Sequence, residues 1–224
     1  MSHKKVSLHR YTKAEVIRRA TTHCKHGHTL LAHPQCDVTK PPRVGYLDIE
    51  ASNLVADFGI ILSWCILDED SGKIIEDTIK AADISTASAG DEDKRVVSTL
   101  IKAMLEFDVI VTFYGKRYDA PFIRTRAVAM GLDFPLFGTL KHVDVYDMVR
   151  HRFRLSSNRL ENACRVLLGT TNKTRIENKF WRGAARGHAP SIKQVLIHNR
   201  YDVIDLQKLY NKVKEFSRKH EVSL

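Results

Sequence analysis

Val44-Gly45-Tyr46-Leu47-Asp48-Ile49-Glu50 decides how this chain folds. The run is apolar and β-rich until its last three residues, where two acids stand two positions apart. Side chains alternate along a strand, so Asp48 and Glu50 project to the same side. Two carboxylates on one face repel each other, and a divalent cation is the usual offset.

Downstream, the pattern stays β-rich before it becomes mixed. Residues 45–50 form a first strand, the apolar run 58–68 fits a buried second, and 73–80 fits a third. Asp68-Glu69-Asp70-Ser71-Gly72 between the last two is a hairpin signal. Asn53-Leu54 reads as a turn, because Asn tolerates a left-handed backbone. Val96, Val97, Leu100, Ile101, Met104 and Leu105 give residues 91–107 helical spacing. Then come a short strand at 109–113, a helix at 120–130 stopped by Gly131, and a fifth strand at 143–146. A helix at 157–168 ends at Gly169, and 191–216 holds a final helix or helix pair. The order βββαβαβα predicts an α/β fold opened by an antiparallel meander.

Composition agrees with a folded, water-exposed chain. Of its 224 residues 43% are apolar, and no apolar run approaches the roughly 20 residues that span a bilayer. The start, Met1-Ser2-His3-Lys4-Lys5, is not a signal-peptide core. A soluble, cytoplasmic protein with no membrane partner is expected. Cys65 and Cys164 fall in apolar patterns and read as buried thiols, not bridges. Net charge is +10, and between Arg150 and Arg200 twelve Lys/Arg face two acids. That segment carries the whole excess, as a polyanion-binding stripe does.

Two further segments offer acids. In Val111-Thr112-Phe113-Tyr114-Gly115-Lys116-Arg117-Tyr118-Asp119-Ala120-Pro121-Phe122, a strand feeds a glycine-containing loop and Asp119 opens a helix. An Asp there also serves as an ordinary helix-end acid. In His198-Asn199-Arg200-Tyr201-Asp202-Val203-Ile204-Asp205, either His198 with Asp202 or Tyr201 with Asp205 shares a helix face. At about 100° per residue, Val203, Leu206, Tyr210 and Val213 define the buried sector. Asp202 lies near that sector and Asp205 further off, which favours Asp202 and makes Asp205 a solvated helix acid. The alternative pair stays open. Asp144 follows the fifth strand's approach and is either a supporting acid or a strand-end one.

The ordered set Asp48, Glu50, Asp119, Asp202 resembles the DEDD exonuclease superfamily, in a branch related to the proofreading domains of DNA polymerases. D-I-E-A-S-N-L resembles its first motif, V-T-F-Y-G-K-R-Y-D-A-P-F its second and H-N-R-Y-D-V its third, within residues 43–216. The family's second motif often has Asn where this chain has Tyr114, and His198 stands where one subclass has Tyr. The resemblance implies a ribonuclease-H-like mixed five-stranded sheet flanked by helices. It implies a 3′–5′ exonuclease acting on DNA or RNA, with single-stranded DNA or a 3′ end as partner. It also implies two Mg²⁺ or Mn²⁺ ions held by Asp48, Glu50, Asp119 and Asp202, with His198 orienting or deprotonating the attacking water. Tyr114, Lys116, Arg117 and Arg124 then contact nucleic acid, and Phe180 and Trp181 are further stacking candidates. A non-catalytic binding module and a structure-specific endonuclease are the competing readings.

Residues 1–42 stand apart from the domain expected at 43–224. Six of the eleven histidines and two of the four cysteines lie here. Cys24, His28, His33 and Cys36 form two short-spaced pairs that suit one structural zinc ion, with His26 as an alternative to His28.

Overall fold

The computed structural model describes residues 12–24, 27–32, 37, 42–136, 138–216 and 221–223. Strands β1 (Val44–Ala51), β2 (Ile61–Asp68) and β3 (Ile74–Thr78) form the expected antiparallel meander. β4 (Val109–Thr112) pairs parallel to β1, and β5 (Lys141–Asp144) pairs parallel to β4. The five expected strands are all present. A sixth, β6 (Glu221–Ser223), pairs antiparallel to β5 and extends the sheet to the order β3-β2-β1-β4-β5-β6.

Eight helices accompany the sheet among the described residues: α1 (Lys13–Thr21), α2 (Ala81–Thr86), α3 (Lys94–Met104), α4 (Asp119–Ala129), α5 (Val145–Arg152), α6 (Leu160–Leu168), α7 (Asn178–Ala184) and α8 (Ala189–Val213). The short α2, α5 and α7 carry too few turns for apolar periodicity to reveal them. The expected strand at 143–146 is in fact the end of β5 running directly into α5, because Asp144 caps that helix by accepting from the Tyr146 N–H. The final segment is one helix of 25 residues followed by the 3-10 turn Lys214–Phe216, not a pair. No helix among the described residues is long and apolar enough to cross a membrane.

Strand alternation sorts β1 and β2 between two cores. Leu47, Ile49, Trp64 and Ile66 join Val97, Leu100 and Ile123 on the α3/α4 side. Tyr46, Cys65 and Leu67 join Val203, Leu206 and Leu209 on the α8 side. Asp48 and Glu50 continue the Tyr46 side by the same period of two, and so face α8. β2 is buried at all eight positions because helices cover both faces, which explains its unbroken apolar run. Cys65 and Cys164 are buried, as expected.

Ahead of β1, Thr12 caps α1 and Glu15 returns the contact, a capping box. Buried Asp37 takes Arg19 at 3.1 Å and also pairs with Arg18. The Cys24 N–H donates to the His28 carbonyl at 2.8 Å, and Gly27 turns the chain at φ 78°. Of the expected zinc ligands, Cys24 and His28 thus flank one turn. His33, Cys36 and the alternative His26 lie outside the described residues.

Candidate active site

β1 ends beside the N-terminus of α4 and the middle of α8, and its carboxylates meet theirs there. The Asp119 carboxylate accepts the Ile49 N–H at 3.1 Å, which ties the start of α4 to β1 between Asp48 and Glu50. From α8, His198 Nε2 lies 3.7 Å from Glu50 Oε1 and 3.9 Å from Asp202 Oδ2. Asn199 donates its amide to Asp48 Oδ2 at 3.2 Å and to the Asp48 carbonyl at 3.3 Å. His198, Asn199 and Asp202 are all buried, so the face that periodicity assigns to Asp202 does turn inward, though it is not alone in doing so.

Asp205 is not the solvated acid expected. It is 1% exposed and accepts from the Thr171 hydroxyl at 2.7 Å, the Asn172 N–H at 2.8 Å and the Asn172 side chain at 2.6 Å. Its helix sector borders the loop before α7, not solvent, and it anchors that loop. The anchored loop delivers Lys173, whose Nζ donates to Asp202 Oδ2 at 2.6 Å. It also sets the Thr174 hydroxyl 3.2 Å from His198 Nδ1.

Burial dominates the electrostatics. It pushes the Asp48 and Glu50 carboxyls well above the usual range, and the neighbouring acids push them further. Burial also raises Asp119 to about 7, against the opposing hydrogen bond from Ile49. His198 is lowered by burial, with Asp202 resisting. Lys173 is pulled down by burial but ends above its ordinary value because Asp202, Asp48 and Glu50 surround it. A cluster that cannot ionise cheaply by itself is one that a cation completes.

The donor set fits such a cation. Ligand atoms of Glu50, His198 and Asp202 lie within 4.8 Å of one another. Asp202 Oδ1 is buried and accepts no hydrogen bond among the described residues. Oxygen-rich, acidic donors suit hard cations such as Mg²⁺ or Mn²⁺.

Asp48 and Asp202 also line a cleft of about 620 Å³, walled by Phe113, Tyr114, Tyr146, Arg159 and Lys173. The 113–118 loop on this wall is held by Asp144, which is fully buried and accepts the Tyr114 N–H at 2.7 Å and the Lys116 N–H at 3.0 Å. Gly115 is required there, since a Cβ would come within 2.3 Å of Thr112 Oγ1. The left-handed backbone expected of Asn53 occurs instead at Tyr114, with φ 69°. That conformation costs a bulky residue on the order of 1–3 kcal/mol.

The expected nucleic-acid cations divide. Lys116 and Arg117 both bind Asp147, at 3.0 and 2.9 Å, and are not free-standing charges. Arg124 is exposed on α4, over the Phe134 ring. From 150 to 200 every Lys and Arg except Lys173 is exposed. Trp181 is half-buried with its ring 6.2 Å from that of His198, so it packs behind the site; Phe180 is half-buried beneath Lys179. Tyr201 is half-buried. Sequence reasoning passed over Lys173 and Asn199. Asn199 was detectable, since it stands three residues before Asp202 on the same face. Lys173 was one cation among twelve, and only the folded loop distinguishes it.

Fold and site together define a ribonuclease-H-like protein with an acidic cleft. The RNase_H superfamily profile matches residues 45–214, and the chain belongs to that superfamily. Among known proteins, it is 27% identical over 128 residues to a DNA polymerase of Methanocaldococcus jannaschii, a match covering 49% of this chain and 8% of the polymerase. Its fold is similar to the family B DNA polymerase of the hyperthermophilic archaeon Pyrobaculum calidifontis. The TM-score is 0.63 at 19% identity, over 79% of this chain and 25% of that one. The chain thus spans a minor part of each of these two polymerases.

Proposed function

We propose that this protein is a metal-dependent nuclease of the DEDD type, a 3′–5′ exonuclease hydrolysing phosphodiester bonds of DNA or RNA. The supporting observation is the meeting of Asp48, Glu50, Asp119 and Asp202 with His198, from three distant segments, in one cluster beside an open cleft, with Asp119, His198 and Asp202 buried and Asp48 and Glu50 partly exposed. The 3′ polarity rests on the resemblance of the three motifs. The four carboxylates would hold two Mg²⁺ or Mn²⁺ ions. When bound, these supply Lewis-acid activation of water and neutralise charge on the leaving oxygen.

The chain's own residues do the rest. Burial keeps His198 neutral near pH 7, so its ring accepts the proton of the attacking water. The water oxygen bonds to phosphorus, the ester bond to the leaving oxygen breaks, and that oxygen takes a proton from solvent. Lys173, cationic and anchored through Asp205, faces the charge on the non-bridging phosphate oxygens. Exposed cations such as Arg152, Arg154, Arg159 and Arg182, with Arg124, hold the strand's backbone. In the extension, Cys24 and His28 with His33 and Cys36 would make a structural zinc site.

End-labelled single- and double-stranded DNA and RNA, incubated with Mg²⁺, Mn²⁺ or EDTA, test the reading. Metal-dependent stepwise shortening from the 3′ end is expected, and its loss in Asp48→Asn. Internal cuts would make the protein an endonuclease, and binding without cleavage would make it a non-catalytic module.

A further inference from the structure

Tyr114 stands where the resembled motif often has Asn, in the left-handed conformation that Asn tolerates and tyrosine does not favour. The turn itself does not ask for the ring. Asp144 holds the loop through the N–H groups of residues 114 and 116, which any residue but proline supplies. Nor does the core ask for it, because Tyr114 is 42% exposed.

The ring is nevertheless fixed. It meets Tyr146 edge to face, with centroids 4.8 Å apart and planes at 77°. The Arg117 guanidinium lies 5.7 Å from the Tyr114 ring centre and 5.4 Å from that of Tyr146. Asp147 anchors Arg117 at 2.9 Å. This rigid aromatic corner lines the same cleft as Asp48, Asp202 and Lys173.

We propose that Tyr114 is a specificity-determining residue, a stacking platform for an unpaired nucleobase at the end of the strand whose phosphodiester reaches Asp48 and Asp202. The proposal rests on the nuclease reading of that cleft. Every base has a π-face, so stacking holds a strand without reading its sequence. A paired terminal base is held to its partner and must unpair before it can turn into the corner, whereas an unpaired terminal base turns a face to it without that cost. The ring therefore selects frayed or single-stranded ends, in DNA and RNA alike, and leaves the choice of sugar to other contacts.

The test uses single-stranded DNA and RNA oligonucleotides carrying 2-aminopurine at either end, titrated in EDTA with wild type, Tyr114→Phe and Tyr114→Asn. Wild type and Tyr114→Phe should quench the probe at one end. Tyr114→Asn should lose the quench and bind about 5- to 150-fold more weakly. Its melting temperature should match or exceed wild type, since Asn suits the backbone, which separates this outcome from misfolding. With Mn²⁺, the change should fall mainly on KM for single-stranded substrate, narrowing the gap to blunt duplex. Tyr114→Asn binding and quenching like wild type would overturn the proposal while wild-type cleavage left the nuclease reading standing. If wild type binds without cleaving, the nuclease reading fails and the quench still decides the stacking. If wild type binds neither oligonucleotide, both fall.

Discussion

Asp202 and Asp205 are buried three residues apart on one helix, and they meet different surroundings. Asp205 satisfies three donors from Thr171 and Asn172. Asp48, at the carboxylate cluster Asp202 belongs to, is held above its ordinary pKa by burial and by its acidic neighbours, Asp202 among them. Asp205→Ala is therefore expected to lose about 1–3 kcal/mol, because donors are orphaned. Asp48→Asn in EDTA is expected to gain stability, because a repelling charge goes while the amide keeps the shape. Urea unfolding of both variants checks the pair, and a loss in Asp48→Asn would mean that the cluster is not strained without metal. Asp202 was legible from periodicity, since a helix fixes which residues share a face. Asp205 was misread because the loop that covers it comes from 33 and 34 residues upstream, and no local pattern announces that contact.

At the scale of elements, the site is a junction. β1 contributes two carboxylates, α4 contributes Asp119 through its first residue, and α8 contributes the inward face of its middle turns. The loop into α4 is braced by Asp144 from the end of β5. The five strands and the long helices were legible, because each repeats a period over enough residues. The left-handed position was assigned to Asn53 on residue preference, but Asp144 imposes it on Tyr114 from a neighbouring strand. Residues 1–42, expected from the sequence to stand apart, carry their own expected chemistry. Metal analysis of the protein purified without chelator should return one zinc per chain, and Cys24→Ser should abolish it with loss of helix signal from α1. A zinc content near zero would overturn the zinc reading and leave the Cys24–His28 backbone hydrogen bond as a structural turn.

For the whole molecule, metal and proton compete for the same groups. Asp119 titrates at about 7 when folded against 3.8 as a free side chain. Between those values the folded chain keeps a proton that the unfolded chain has lost. The cluster's contribution is thus fully present below about pH 4 and is lost as pH rises through 7; Asp48 and Glu50 are shifted in the same direction. A bound divalent cation would hold the carboxylates ionised and reverse that loss. The rise in melting temperature on adding Mn²⁺ in place of EDTA should therefore grow from pH 5 to pH 8. A rise that is absent, or that does not vary with pH, would disconnect these acids from metal.

What the sequence determined by itself is what short-range periodicity encodes. The alternation of 44–50 put both acids on one face, the helical spacing of 198–213 turned Asp202 inward, and the ordered motifs gave the ribonuclease-H-like architecture. What only the tertiary structure decided depends on residues far apart in the chain. Asp205 became an anchor, Lys173 was singled out from a basic run, Lys116 and Arg117 were claimed by Asp147, and Tyr114 was forced left-handed onto the cleft wall. The physical reason is that a period reports which face a side chain takes, whereas its partner and its burial are set by whatever segment packs against that face.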